Sequence, residues 1–440
     1  PSGRESLMRV PASGGATAAA TTLGAAEMSH RFPQFLTDSR HFVYFIQSGR
    51  PETRGVYAGS LDDPGRKTRL IHSDSNAIYS PALNGHPGYL LWVRQQTLLA
   101  QQLNERSLRL EGEPSPVDEG IGLNRSFNLA EISASASGTL VYNGGGGRRR
   151  IEWINRSGTV IGAAAEEADY YGVRISPDGS RAAVSRVEGP SNQDLWLLDL
   201  RRGQRTHYTF EPGSEIDVVW SPDSRQVVFS SAREGPYRLF RRDSMGSGQA
   251  EQLTTTGNLQ RAHDWSRDGQ VLLYSDVSPQ TGTDLWLLSM AGKHTPVAFL
   301  TTPFNEADGQ FRPVAGDRRW IAYSSDESGR DEIFVRRFPD SGAKWQVSSD
   351  GGSYPRWRAD GNEIFFMSAD GKLMAAGVRD RDGALDLDSP RALFPIFPQG
   401  LPHPYDVAPD GRRFLVLTPA EDGRSQDLTV VLNWQAALRK

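Results

Sequence analysis

The stretch Trp220-Ser221-Pro222-Asp223-Ser224-Arg225-Gln226-Val227-Val228-Phe229-Ser230 decides the fold. An aromatic anchor precedes a Ser-Pro-Asp turn, and an apolar run of period two follows it. Proline pre-sets φ for a β-turn, aspartate bonds back to its own backbone, and glycine, where present, accepts positive φ. The same turn returns as Ser176-Pro177-Asp178-Gly179, Ser266-Arg267-Asp268-Gly269 and Ala408-Pro409-Asp410-Gly411. Reduced copies are Thr37-Asp38-Ser39, Asn84-Gly85, Ala136-Ser137-Gly138, Ala315-Gly316-Asp317 and Ala359-Asp360-Gly361.

An anchor stands before each turn: Phe35, Tyr79, Ile132, Ile175, Trp220, Trp265, Phe311, Trp357 and Val407. Ile175, Trp220 and Trp265 are 45 residues apart, and Trp265, Phe311 and Trp357 are 46 apart. Behind each turn lies an alternating run, then a third strand such as Asp194-Leu195-Trp196-Leu197-Leu198 or Asp284-Leu285-Trp286-Leu287-Leu288. Four strands per unit at this period define a propeller blade, whereas helical repeats would need a period of 3.6. The expectation is an all-β chain, a single β-propeller of four-stranded antiparallel blades over residues 1–440. Nine anchors imply eight or nine blades in a ring closed between N- and C-terminal strands. Residues 1–25, with Leu7–Val10 and Thr21–Leu23, are expected to complete the terminal blade that ends in Leu428–Leu432, because closure removes exposed sheet edges. Trp196, Trp220, Trp265, Trp286 and Trp357 recur at blade spacing and read as packing between blades, not as a sugar-stacking platform.

Composition narrows the function. The 440 residues carry 49 Lys and Arg against 53 Asp and Glu, a net charge of −4, which is no nucleic-acid footprint. Cysteine is absent, which excludes disulfides, thiolate zinc sites and cysteine nucleophiles. No apolar run is long enough to span a membrane as a helix. Gly246-Ser247-Gly248 lacks the spacing of a serine-hydrolase elbow. Gly144-Gly145-Gly146-Gly147-Arg148-Arg149-Arg150 lacks the Lys-Ser/Thr of a phosphate loop and reads as a hairpin connection. The chain begins Pro1-Ser2-Gly3-Arg4 and reads as a processed or excised piece; a monomer is expected.

Candidate functional residues come from one register. The anchor strand is the innermost of each blade, so its entry end should reach the channel mouth. Five and three residues before the anchor stand Glu215 and Asp217, Glu306 and Asp308, and Asp74 and Asn76, with His30 five before Phe35. Converging carboxylates repel unless a cation sits among them, and Ca²⁺ takes six to eight oxygens. Glu215, Asp217, Glu306 and Asp308 are therefore the expected ligands of a divalent cation such as Ca²⁺ in the central channel. The competing expectation is a solvated acidic rim, or carboxylates paired with Arg31, Arg174, Arg261 and Arg356. His263 and His403, two and four residues before their anchors, lie toward the same opening but off that register, as metal or acid–base candidates or plain surface histidines.

The Trp-Ser-Pro-Asp turns with their Val-Val-Phe-Ser-Ser strands resemble the TolB-like propeller repeat, a relative of the WD repeat. The tail, from Lys344-Trp345-Gln346-Val347-Ser348 through Arg356-Trp357 to Leu432-Asn433-Trp434, is similar to the C-terminal propeller region of bacterial receptor-type serine/threonine kinases. The kinase catalytic motifs are absent from this chain. The resemblance implies a sensing or scaffolding module in a bacterial extracytoplasmic setting, and it transfers no functional residue.

Two functions follow. The first is a non-catalytic binding, sensing or scaffold propeller, presenting its face or channel mouth to a protein or small-molecule ligand. The alternative is a metal-dependent hydrolase of esters, lactones or phosphoesters, resembling in outline the paraoxonase and gluconolactonase group with its central Ca²⁺. A propeller polysaccharide lyase would need more clustered histidine than these registers supply.

Overall fold

A computed structural model describes residues 6–439 apart from 49, 84, 95–96, 120, 125–127, 144–147, 190–191, 279, 315–319, 339–341, 382–383, 397–400 and 421–427. The expected turns at Asn84-Gly85 and Ala315–Asp317, and the Gly144–Gly147 run, fall wholly or partly outside the described residues. Among the described residues the elements are β-strands and one 3₁₀ segment, Trp434–Arg439. All nine anchors lie on an edge strand of a sheet. Every anchor except half-exposed Phe35 and partly exposed Val407 is buried.

The chain divides into two compact units, Gly3–Gly147 with Ala420–Lys440, and Arg148–Pro419. The first unit holds two four-stranded antiparallel sheets, beginning at Glu27–Phe35 and Ala77–Ser80. Its third sheet has three strands, Ile132–Ala134, Thr139–Asn143 and Leu428–Leu432.

The second unit holds the sheets anchored by Ile175, Trp220, Trp265, Phe311, Trp357 and Val407. Their innermost strands are Tyr170–Ile175, Glu215–Trp220, Leu259–Trp265, Glu306–Phe311, Ser353–Trp357 and Tyr405–Val407. Each touches the next, and the last touches the first, so six blades close into a ring. Closure is made by one composite blade. Tyr405–Val407 and Arg413–Pro419 come from the end of the unit, while Arg149–Asn155 and Val160–Ala168 come from its start. Arg149 to Asn155 pair in unbroken register with Pro419 to Arg413.

The ring of eight or nine blades closed by residues 1–25 is thereby corrected. Met8–Arg9 pairs only with Ala18–Ala19, and Leu428–Leu432 pairs with Thr139–Asn143. The physical reason is pattern: the place beside Arg413–Pro419 expected for Leu428–Leu432 goes to Arg149–Asn155, which buries Ile151 and Ile154 and pairs along seven residues, whereas Leu428, Val430 and Leu432 stay exposed.

Neighbouring blades are stitched at the anchors. Trp220 Nε1 donates to Arg174 O at 3.1 Å and Trp357 Nε1 to Gln310 O at 3.3 Å, each reaching the preceding blade one residue before its anchor. The N–H groups of Ile175 and Phe311 in turn donate to Asp406 Oδ2 and Asp264 Oδ2, at 2.7 and 2.8 Å. Trp220 and Trp357 are thus packing residues between blades, as expected. Trp220→Phe should destabilise the protein by about 1–3 kcal/mol, because it removes the hydrogen bond that ties the two blades together and part of the buried ring volume. Urea unfolding followed by circular dichroism measures it.

Candidate functional site

The innermost strands of the second unit are bent by β-bulges near their entry ends. Pairing registers jump between Ile216 and Val219, Ala262 and Asp264, Ala307 and Gln310, and Ser353 and Arg356. Asp217, Asp308, Tyr354 and His403 adopt left-handed φ of 53°, 55°, 55° and 49°. Non-glycine residues rarely sit there, and such strain persists where the surroundings over-determine it. A bulge adds a residue and re-aims the side chains that follow.

These bulges bring charges of both signs to the ring axis. Arg261 Nε lies 3.1 Å from Asp217 Oδ2, an ion pair by distance whose angle falls short of a hydrogen bond. His403 Nε2 is 3.5 Å from Asp217 Oδ1. On its other side His403 Nδ1 accepts from Arg174 Nη2 at 3.2 Å and Arg356 Nη2 at 3.1 Å. Arg356 Nε stands 3.3 Å from Asp406 Oδ1. Ser324 Oγ donates to Asp308 Oδ2 at 3.3 Å. A water-sized space beside His403 is lined by Gly172, Arg174, Ser185 and Asp217 among others.

Burial sets the protonation of this cluster. It pushes Asp308 up to about 6 and Asp264 up to about 7, against the pull of Arg174 on both. Asp406 is raised for the same reason, again opposed by Arg174. Burial drives His263 down to about 3, and it drives His403 well below the usual imidazole range, with Arg174 adding repulsion. Both imidazoles are therefore neutral near pH 7, and His403, accepting at Nδ1, carries its proton on Nε2. His263, Asp308 and His403 each offer an atom within 4.8 Å of the others, a group able to hold a metal ion.

Of the residues singled out in the sequence, the axis brings together Asp217 and Asp308 from the register with His263 and His403 from outside it. Glu215 and Glu306 go elsewhere. Glu215 accepts from Ser231 Oγ at 2.7 Å with Arg233 Nη2 3.5 Å away, and Glu306 accepts from Thr302 Oγ1. Residues five and three before the anchor share a face only in a regular strand, and the bulges break that alternation. In the first unit His30 bonds Glu27 and Thr21 at 2.9 and 2.8 Å, Asp74 pairs with Arg54 at 3.1 Å, and Asn76 accepts from Ala130 N at 2.7 Å. Those three side chains hold local structure. Sequence reading passed over Tyr354, Asp264 and Asp406. The last two stand one residue before their anchors, where Arg174 and Arg356 also stand, and this second register was the available signal.

Comparison with known proteins agrees with this architecture. Residues 167–313 match the family described as the TolB beta propeller domain. A Tol-Pal system protein TolB from Helicobacter pylori is 22% identical over 220 residues, 49% of each chain. An uncharacterized peptidase from Bacillus subtilis is 30% identical over 105 residues, 23% of this chain and 16% of that protein. The matches thus span less than half of these relatives' own lengths. A solved structure described as a TolB from Agrobacterium tumefaciens superposes with a TM-score of 0.51 and 22% identity, covering 62% of this chain and 99% of that one. The chain carries a TolB-like β-propeller, and at these identities the likeness speaks for fold alone.

Glu215 is fully buried and Oε2 lacks a hydrogen-bond partner, so burial pushes its carboxyl up to about 8, against Ser231 and Arg233. The native state keeps this proton to about pH 8, whereas an unfolded glutamate releases it near 4.3. Unfolding between those values sheds a proton, so stability falls as pH rises through that window. Urea unfolding at pH 5 and pH 8.5 should show Glu215→Gln losing less stability than wild type, by on the order of 2–4 kcal/mol.

Proposed function

We propose that the six-bladed unit is a non-catalytic binding or sensing module whose axial opening receives a protein or small-molecule ligand. The observation that carries this reading is the convergence of Arg174, Arg261, Arg356, Asp217, Asp308 and Asp406 on a closed, rigid ring. Fixed charges on rigid strands give specificity at small ordering cost. Arg261, with 39% of its side chain exposed, is the group best placed to meet an incoming ligand. The matched relatives include proteins named for the Tol-Pal system, which supports a role in assembly with partners. An extracytoplasmic bacterial location belongs to the same proposal.

Affinity capture on the immobilised full chain, followed by titration of the captured ligand, tests it. The Arg261→Gln/Asp308→Asn variant should bind about tenfold or more weakly at a temperature where circular dichroism shows it fully folded. Equal affinity in wild type and variant would overturn the axial reading.

The His263, Asp308 and His403 group gives the hydrolase alternative a specific footing. Under the binding reading, aryl esters, lactones and phosphotriesters are not turned over with added Ca²⁺, Mn²⁺ or Zn²⁺. Turnover that Asp308→Asn abolishes would replace the binding reading with a metal-assisted hydrolase.

A further inference from the structure

We propose that Asp276 and Asp284, in the blade anchored by Trp265, hold one Ca²⁺ ion together with the hydroxyls of Thr256 and Thr281. The two aspartates stand directly opposite each other on neighbouring strands, and they are only 6% and 3% exposed. Like charges so placed repel, and burial removes the water that would screen them. Among the described residues each carboxylate meets neutral donors only. Asp276 accepts from Asn258 Nδ2 at 2.6 Å, Gln260 Nε2 at 3.0 Å and Thr256 Oγ1 at 3.3 Å, and Asp284 Oδ2 accepts from Thr281 Oγ1 at 2.6 Å. Asp284 Oδ1 is enclosed and accepts from nothing. A buried oxygen left in that state is costly unless something at the site satisfies it.

Another blade of the same ring shows what is missing. The blade anchored by Ile175 carries a matching third strand, Asp194-Leu195-Trp196-Leu197-Leu198 against Asp284-Leu285-Trp286-Leu287-Leu288. There Arg186 stands opposite Asp194, and His207, opposite Trp196, brings Nε2 within 2.7 Å of Asp194 Oδ2. At the corresponding places the Trp265 blade has Asp276 opposite Asp284 and Ala298 opposite Trp286. The chain gives the first aspartate basic neighbours and the second another anion, so the positive charge has to come from outside the chain. A proton is the rival neutraliser, since burial, with Asp276 adding repulsion, holds the Asp284 carboxyl above its ordinary range. Whichever oxygen carried that proton, Oδ1 would still lack a partner, whereas a metal ion engages it directly. Aspartates this enclosed admit a monatomic ion and no organic cation, and a set of oxygen donors suits Ca²⁺. Thr256 is exposed, so waters reach that side to complete the shell. The site lies on the second and third strands of its blade, outward of the axial cluster, and stands whether or not the axial opening binds a ligand.

Full-length protein stripped with EGTA is titrated with Ca²⁺ by calorimetry, and with Tb³⁺, a luminescent stand-in for Ca²⁺, under tryptophan excitation. One equivalent of Ca²⁺ should bind and raise the thermal midpoint. Asp276→Asn and Asp284→Asn should each weaken Ca²⁺ binding about tenfold or more. Both should also raise the midpoint of the stripped protein, because each removes one member of a repelling pair. Trp286→Phe should keep the calorimetric binding and lose most of the Tb³⁺ emission, since Trp286 shares a face with Asp284 two residues away. Failure of wild type to bind Ca²⁺, or affinity unchanged in either folded aspartate variant, would overturn the site. Should neither aspartate variant fold, the Trp286→Phe protein decides. Lost Tb³⁺ emission supports the site, and undiminished emission places the ion elsewhere and refutes it.

Discussion

Everything in the second unit rests on the antiparallel pairing of Arg149–Asn155 with Arg413–Pro419. Without it the last blade would keep only Tyr405–Val407 and Arg413–Pro419, too little sheet to stand alone. The axial cluster straddles this junction. Arg174 belongs to the first blade of the unit and His403 leads into the last, and they meet across the closing interface with Val173 N donating to His403 O at 3.2 Å. The site is consequently a product of closure, and opening the ring would scatter its residues before any of them lost its own strand.

Closure also explains how so many charges tolerate burial. A lone buried ion costs several kcal/mol, whereas each charge here has an opposite or hydrogen-bonding neighbour supplied by another blade. Asp406 accepts from Ile175 N and Asp264 from Phe311 N, so two of the carboxylates double as rivets between blades. Their loss would affect architecture and electrostatics together. Asp308 likewise takes a backbone hydrogen bond from Tyr354 of the next blade, so the axial carboxylates hold the ring and set its charge pattern at once.

The fold was legible because its signals are local. Turn chemistry such as Ser221-Pro222-Asp223 and alternation such as Val227-Val228-Phe229 operate within a few residues, and all nine anchors lie on an edge strand of a sheet. Closure was misread because it depends on competition between distant strands, in which Arg149–Asn155 takes the place beside Arg413–Pro419 expected for Leu428–Leu432. The site was half legible. Asp217 and Asp308 were found from their register, but Glu215 and Glu306 were grouped with them on the assumption of a regular strand. The bulges that separate them arise from non-glycine residues in left-handed conformations, which composition does not announce. The arginine partners Arg174, Arg261 and Arg356 were visible as charge balance. Asp264 and Asp406 stood in the register one residue before the anchors, and Tyr354 needed the three-dimensional ring.

The closing pair has a mechanical corollary. Arg149 opposes Pro419 at one end of the ladder, and the chain enters and leaves the unit beside these two residues. Tension applied through the flanking segments would therefore load the hydrogen bonds one after another, like a zipper, because antiparallel ladder bonds run perpendicular to the strands. A ring joined in this manner resists heat as a cooperative whole but yields to modest pulling at its two tethers, so force on the chain is a direct way to dismantle the axial cluster.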